Sequence, residues 1–241
     1  MCRPDSISIL LAAFLIFLGG CAKAGQTEVD SEEQTGIRIV FLGDSITEAG
    51  ALPGGYVMLV ADSLQAAYPD KSISVIGAGI SGNKVPDLEA RLNTDVLAKE
   101  PTHVVIYIGI NDVWHHFEFD HTTGTEPDVY ETGLRNLIAS IQGIGATVLL
   151  CTPSVIGEDP GSDAPVNQRL MQYASISRQV AESTGAHLCD LRAAFEKYLQ
   201  ENNTDKRHDG LLTSDGVHLN ETGNRFVAAF MMQHLRAVLE R

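Results

Sequence analysis

Positive charge is scarce in this chain. Its 241 residues carry 17 Lys and Arg against 31 Asp and Glu, a formal net charge of −14. Nucleic-acid binding rests on Lys and Arg neutralising phosphates, so that partner class is excluded. Attraction to anionic lipid head groups is disfavoured for the same reason. Long apolar runs are also missing. The most apolar stretch, 7–18, falls short of the about 20 residues that a membrane-spanning helix needs. Cysteine is sparse, at positions 2, 21, 151 and 189. No Cys-x-x-Cys pair occurs, which removes the usual thiol signatures of metal and redox sites. No Gly-x-x-x-x-Gly-Lys-Ser/Thr is present, so phosphate-loop nucleotide chemistry has no footing.

The apolar stretch is preceded by Arg3 and followed by Gly19-Gly20-Cys21. A basic start, a short apolar centre and small residues describe a secretory signal. Leu18-Gly19-Gly20-Cys21 resembles a bacterial lipobox, in which Cys21 is lipidated and becomes the first mature residue; plain signal cleavage is the alternative. Residues 23–36 are small and polar, with the composition of a flexible tether. The expected organisation is a signal peptide over 1–20, a tether over 21–36 and one domain over 37–241. The expected location is the cell envelope, with the protein held to a membrane through Cys21. Cys2 leaves with the leader. Cys151 and Cys189 each end an apolar run and read as buried thiols or as a pair in an oxidising compartment.

Apolar, β-branched runs recur at 37–42, 73–76, 103–108, 147–151 and 186–190. Between them lie stretches with helical apolar spacing, at 56–67, 85–97, 128–142, 166–184, 191–200 and 221–241. Continuous apolar strands alternating with helices imply a parallel sheet covered on both faces. Right-handed crossovers then build a three-layer αβα sandwich with a five-stranded parallel sheet. No repeat and no second domain is visible.

Chemistry concentrates at four short blocks. The first run stops at Gly43-Asp44-Ser45-Ile46, where Ser45 falls just past a strand's carboxyl end, the edge where open α/β sheets bind ligands. Gly43 lets the chain turn sharply there. Gly79-Ile80-Ser81-Gly82-Asn83 and Gly109-Ile110-Asn111-Asp112 follow the second and third runs. Asp215-Gly216-Val217-His218 precedes the last helix. A Ser hydroxyl becomes a nucleophile when a base takes its proton. His218 is the candidate base, since an imidazole exchanges protons near neutral pH. In a tight Asp-Gly-Val-His turn the Asp215 carboxylate can hold Nδ1 and leave Nε2 facing Ser45. That is the Ser-His-Asp division of labour, which is recognised by geometry rather than chain order. The Gly-x-Ser-x-Gly elbow of α/β-hydrolases is absent around Ser45.

These four blocks, in this order, resemble those of the SGNH superfamily, the GDSL esterases and lipases that include lysophospholipase-like esterases. Ile46 stands where the family name has Leu, and Asn83 stands where an Asp often follows the second block's Gly. The resemblance implies a flavodoxin-like fold and an oxyanion hole made of the backbone N–H groups of Ser45 and Gly82 and the Asn111 amide. It implies no cofactor and no metal. Asp44 and Asp112 are expected to bond local backbone N–H groups. Trp114 either walls the substrate pocket or packs in the core. His115, His116, Asp120 and His121 form a short cluster that reads as a loop beside the site rather than a metal centre.

The expected activity is hydrolysis of carboxylic esters through an acyl-serine. Brief loops between the blocks favour short acyl groups, such as acetyl esters of sugars or small alcohols. A lysophospholipase or thioesterase of the same family is the alternative. From another class comes a surface lipoprotein that binds glycans without catalysis.

Overall fold

The computed structural model describes residues 36–117, 123–159 and 161–240. The expected leader, the tether up to residue 35, the lipidation position Cys21, and Asp120 and His121 lie outside them. Five strands form one sheet: β1 (Ile37–Gly43), β2 (Ile73–Gly79), β3 (His103–Tyr107), β4 (Thr147–Cys151) and β5 (His187–Cys189). All pairings are parallel, in the order β2-β1-β3-β4-β5. This is the flavodoxin-like order, whose direction of winding reverses between β1 and β3. Ile39, Val40, Phe41 and Leu42 are all fully buried. Both faces of β1 are therefore covered, which is why its sequence is continuously apolar rather than alternating.

Eight α-helices and a 3-10 turn (Leu97–Lys99) complete the regular elements of the described residues: α1 (Ser45–Gly50), α2 (Tyr56–Ala67), α3 (Val85–Asp95), α4 (Ile110–Trp114), α5 (Pro127–Gly143), α6 (Pro165–Thr184), α7 (Leu191–Asn202) and α8 (Glu221–Leu239). Helix α8 packs on α2 and α7, whereas α5 packs on α3 and α6. The sheet thus separates two helical layers. Pro at the first positions of α5 and α6 suits a helix start, where the missing N–H has no partner to lose. Gly185, in the left-handed region at φ 72°, ends α6.

The expected element boundaries hold to within a few residues. Two helices escape the sequence pattern: α1 has 6 residues and α4 has 5. Neither completes two turns, so neither displays the i, i+3, i+4, i+7 spacing on which helix recognition rests. Each begins within a few residues of a strand's end, and both carry functional blocks. Cys151 and Cys189 are register partners on β4 and β5. They are buried free thiols, and burial pushes the Cys151 thiol well up. Among the described residues, no helix is long and apolar enough to cross a membrane.

Candidate active site

Each of the four blocks reaches the carboxyl edge of the sheet by a different device. At the first, Gly43 ends β1 with no room for a side chain: a Cβ there would collide with the Thr47 hydroxyl and lie 2.5 Å from the Tyr107 carbonyl oxygen. Glycine is required by this crowding and not by an unusual turn. Asp44 caps α1 by accepting from the Ile46 N–H at 3.0 Å. Ser45 is then the first residue of α1, where the chain turns away from the sheet and leaves its Oγ at the edge.

The second block follows β2 and is tied to the first. Glu48 of α1 accepts from the Ser81 N–H at 2.9 Å. Gly82 takes φ 77°, while a Cβ there would meet nothing within 4 Å. The left-handed backbone therefore favours glycine at this position. The third block begins at Gly109, φ 124°, and enters α4. Asn111 is buried and donates one amide hydrogen to the Asn83 carbonyl at 3.1 Å. An amide carries two donors, so one remains.

The fourth block closes on itself. Asp215 Oδ1 accepts from the N–H groups of Val217 at 2.9 Å and His218 at 2.7 Å. Its Oδ2 lies 2.7 Å from His218 Nδ1, and His218 Nε2 lies 2.9 Å from Ser45 Oγ. The row Asp215–His218–Ser45 is thus continuous across 173 positions of sequence. Burial pushes the Asp215 carboxyl up, but the imidazole and the two backbone donors outweigh it and hold the group below the usual carboxylate range. The aspartate stays ionised and fixes the ring with Nδ1 as donor, which leaves Nε2 free to accept.

Asp44 and Asp112 differ from each other. Asp44 bonds locally, as expected. Asp112 also reaches beyond its own turn: its Oδ1 accepts from the Val85 N–H at 3.0 Å, 27 positions away, and so pins the start of α3 to α4. Both are buried. Burial raises the Asp44 carboxyl to about 7, helped by the neighbouring Asp112 and opposed by the Ile46 N–H and His218. Burial likewise raises Asp112 to about 6. Trp114 packs, half-buried, against the core. His116 faces the Arg169 guanidinium, which lies 3.0 Å from its Nε2. Among the described residues, no group of three His, Cys, Asp or Glu could hold a metal ion.

Arg91 of α3 carries no signal in the sequence. It donates to the Gly43 and Ala78 carbonyls at 2.8 and 2.9 Å, to Asn83 Oδ1 at 2.7 Å and to Asp95 at 2.8 Å. One guanidinium therefore ties the ends of β1 and β2 to the loop that holds Asn111. A charged residue on a helix reads as solvated, and nothing in the neighbouring residues marks this one as drawn in beside the site.

Residues 41–226 match the model of the GDSL-like Lipase/Acylhydrolase family. An acetylxylan esterase of Geobacillus stearothermophilus is 34% identical over 83% of this chain and 94% of its own length. The crystal structure of an acetyl xylan esterase, AlAXEase, superposes with a TM-score of 0.78 at 42% identity, covering 82% of this chain and 98% of that one. A human isoamyl acetate-hydrolyzing esterase 1 homolog is 24% identical over 85% of this chain and 82% of its own. The chain belongs to the GDSL-like lipase/acylhydrolase family, within the SGNH superfamily. It is a carboxylic ester hydrolase.

Proposed function

We propose that this esterase cleaves short-acyl esters, acetyl esters of sugars or small alcohols above all, through an acyl-Ser45 intermediate. The observation that carries the reading is the hydrogen-bonded row from Asp215 through His218 to Ser45. Ser45 Oγ attacks the ester carbonyl while His218 Nε2 takes its proton. The tetrahedral intermediate collapses, the acyl–oxygen bond breaks, and His218 returns the proton to the leaving alcohol. Water then repeats the sequence on the acyl-enzyme and releases the acid. Asp215 holds the imidazole and stabilises it while it is charged. The developing oxyanion is met by the N–H groups of Ser45 and Gly82 and by the second amide hydrogen of Asn111. Preorganised donors of this kind are worth about 3–4 kcal/mol each.

The preference for short acyl groups draws on the brief loops between the blocks and on the acetyl esters in the names of the relatives. Hydrolysis of p-nitrophenyl acetate by the soluble domain, beside Ser45→Ala, tests the reading. Loss of turnover in the variant supports it; equal turnover refutes the assignment of Ser45. An acyl-chain series should then show kcat/KM falling steeply beyond acetyl. We further propose export and lipid anchoring at Cys21, which rests on the leader sequence. Cys21→Ser should move the protein from the membrane to the soluble fraction, and retention in the membrane would refute the anchor.

A further inference from the structure

A buried carboxylate is hydrogen-bonded to the segment that leads into Asp215 and His218. Glu158 is fully buried, and among the described residues no cation forms a salt bridge with it. Taking an ionised carboxylate out of water is costly unless donors replace the water. Here four donors do so. Leu211 N–H reaches Oε2 at 2.8 Å. The N–H groups of Leu212 and Thr213, both at 2.6 Å, and the Thr213 hydroxyl at 2.8 Å, reach Oε1. Three successive backbone N–H groups thus converge on one side chain, as in the concave anion sites that folded backbone forms.

The grip extends to the site. The Thr213 hydroxyl, while donating to Glu158, accepts from the Gly216 N–H at 3.1 Å. Gly216 lies between Asp215 and Val217. The Gly216 carbonyl in turn accepts from Gly157 N–H at 2.8 Å. Ser214 N–H donates to the His218 carbonyl at 2.8 Å and closes the loop. The Glu158 backbone bonds the same segment further back, through the His208 carbonyl at 2.7 Å and the Asn203 amide at 2.7 Å. Residues 157 and 158 thus hold the 211–218 segment through side chain and backbone together.

We propose that Glu158 is a positioning residue for the Asp215–His218 pair, acting through Thr213 and Gly216 to set the distance from His218 Nε2 to Ser45. This rests on the reading of Ser45, His218 and Asp215 as the reacting row. Glu158→Gln keeps the size but replaces one acceptor oxygen with a donor that faces backbone N–H groups. A displacement of about 1 Å at a reacting group costs up to a hundredfold in rate. The expected result is a kcat lower by about tenfold to a hundredfold, with KM within about twofold because the Glu158 side chain is fully buried.

A purely structural role would lower the melting temperature and leave kcat per folded molecule unchanged. A readout independent of turnover is the low-field NMR resonance of the His218 Nδ1 proton, which reports the bond to Asp215 and should shift or broaden in the variant. Thr213→Val removes only the hydroxyl relay, and it decides the question by the same two criteria if Glu158→Gln does not fold. The proposal is overturned if a folded variant keeps wild-type kcat, or loses kcat while the resonance stays in place. Ser45→Ala runs alongside. If that variant stays active, the parent reading fails, whereas an inactive Ser45→Ala beside unaltered Glu158 and Thr213 variants sinks this inference alone.

Discussion

Asp44 offers a quantitative test of the electrostatics around the nucleophile. Its carboxyl is raised from 3.8 to about 7 by burial, with Asp112 adding to the rise. In the unfolded chain the group titrates at its ordinary value. Between these two values the folded state binds the proton and the unfolded state does not. Stability from this group is therefore complete below about pH 4 and is lost as pH rises through about 7. A difference of about 3 units, at 1.36 kcal/mol each, amounts to about 4 kcal/mol across that window. Asp44→Asn removes the titration and keeps the cap, since an Asn oxygen can still accept from the Ile46 N–H. The variant should thus gain on the wild type by up to about 4 kcal/mol between about pH 4 and pH 8. Urea unfolding followed by circular dichroism at several pH values measures the difference, and titrating groups that do not interact with Asp44 cancel between the two proteins. A stability difference flat to within about 0.5 kcal/mol over the window would falsify the account of a buried, protonated Asp44. Because Asp112 contributes to the shift, the Asp44→Asn, Asp112→Asn double variant should not be additive.

Two further expectations concern residues around the row. Asp215→Asn can keep the backbone bonds of Oδ1 but presents an amide donor to Nδ1, which forces the proton onto Nε2. The ring can then no longer accept from Ser45, and kcat should fall about 10⁴-fold with the fold intact; near-normal kcat would show that Asp215 does not set the tautomer. Arg91→Leu takes the guanidinium from the Ala78 carbonyl and leaves the Gly43 carbonyl with the Ile80 N–H at 3.3 Å, a loss of about 1–3 kcal/mol. A melting temperature lower by roughly 2–12 °C is expected, and an unchanged one would mean that water replaces the guanidinium at no cost.

The architecture is legible in the sequence because its strands are buried on both faces. A continuous apolar run such as 39–42 fits a strand between two helical layers, and the helices between the runs are long enough to show their period. The short helices α1 and α4 are not legible, for want of a second turn. Asp112 shows where local propensity stops short: it places an Asp near its own backbone, but the bond from Val85 exists only because α3 begins beside α4. The neighbours of Gly43 in sequence assign it to a turn, but its requirement comes from Thr47 and Tyr107, which pack against it. The buried thiols at 151 and 189 show how far spacing goes. Each apolar run places its thiol at a strand end, and only the register of β4 against β5 makes the two neighbours.

The chain's own order of residues settles which chemical groups are available and in which segments. Ser45, Gly82, Asn111, Asp215 and His218 each sit where an apolar run ends or a helix is about to begin, a local property written in neighbouring residues. The Asp215–His218 contact lies within one turn of sequence too, since the Asp215 carboxylate also accepts the N–H groups of Val217 and His218. What the tertiary structure alone decides is distance between segments far apart in sequence. It brings His218 Nε2 to 2.9 Å from Ser45 Oγ, and it draws in Glu158 and Arg91 where their bonds hold the loops in place. Hydrogen bonds depend on tenths of an ångström and on the exclusion of water. Both are properties of the packed whole, so no pattern of neighbouring residues could announce which charged side chains would be drawn inside to serve the site.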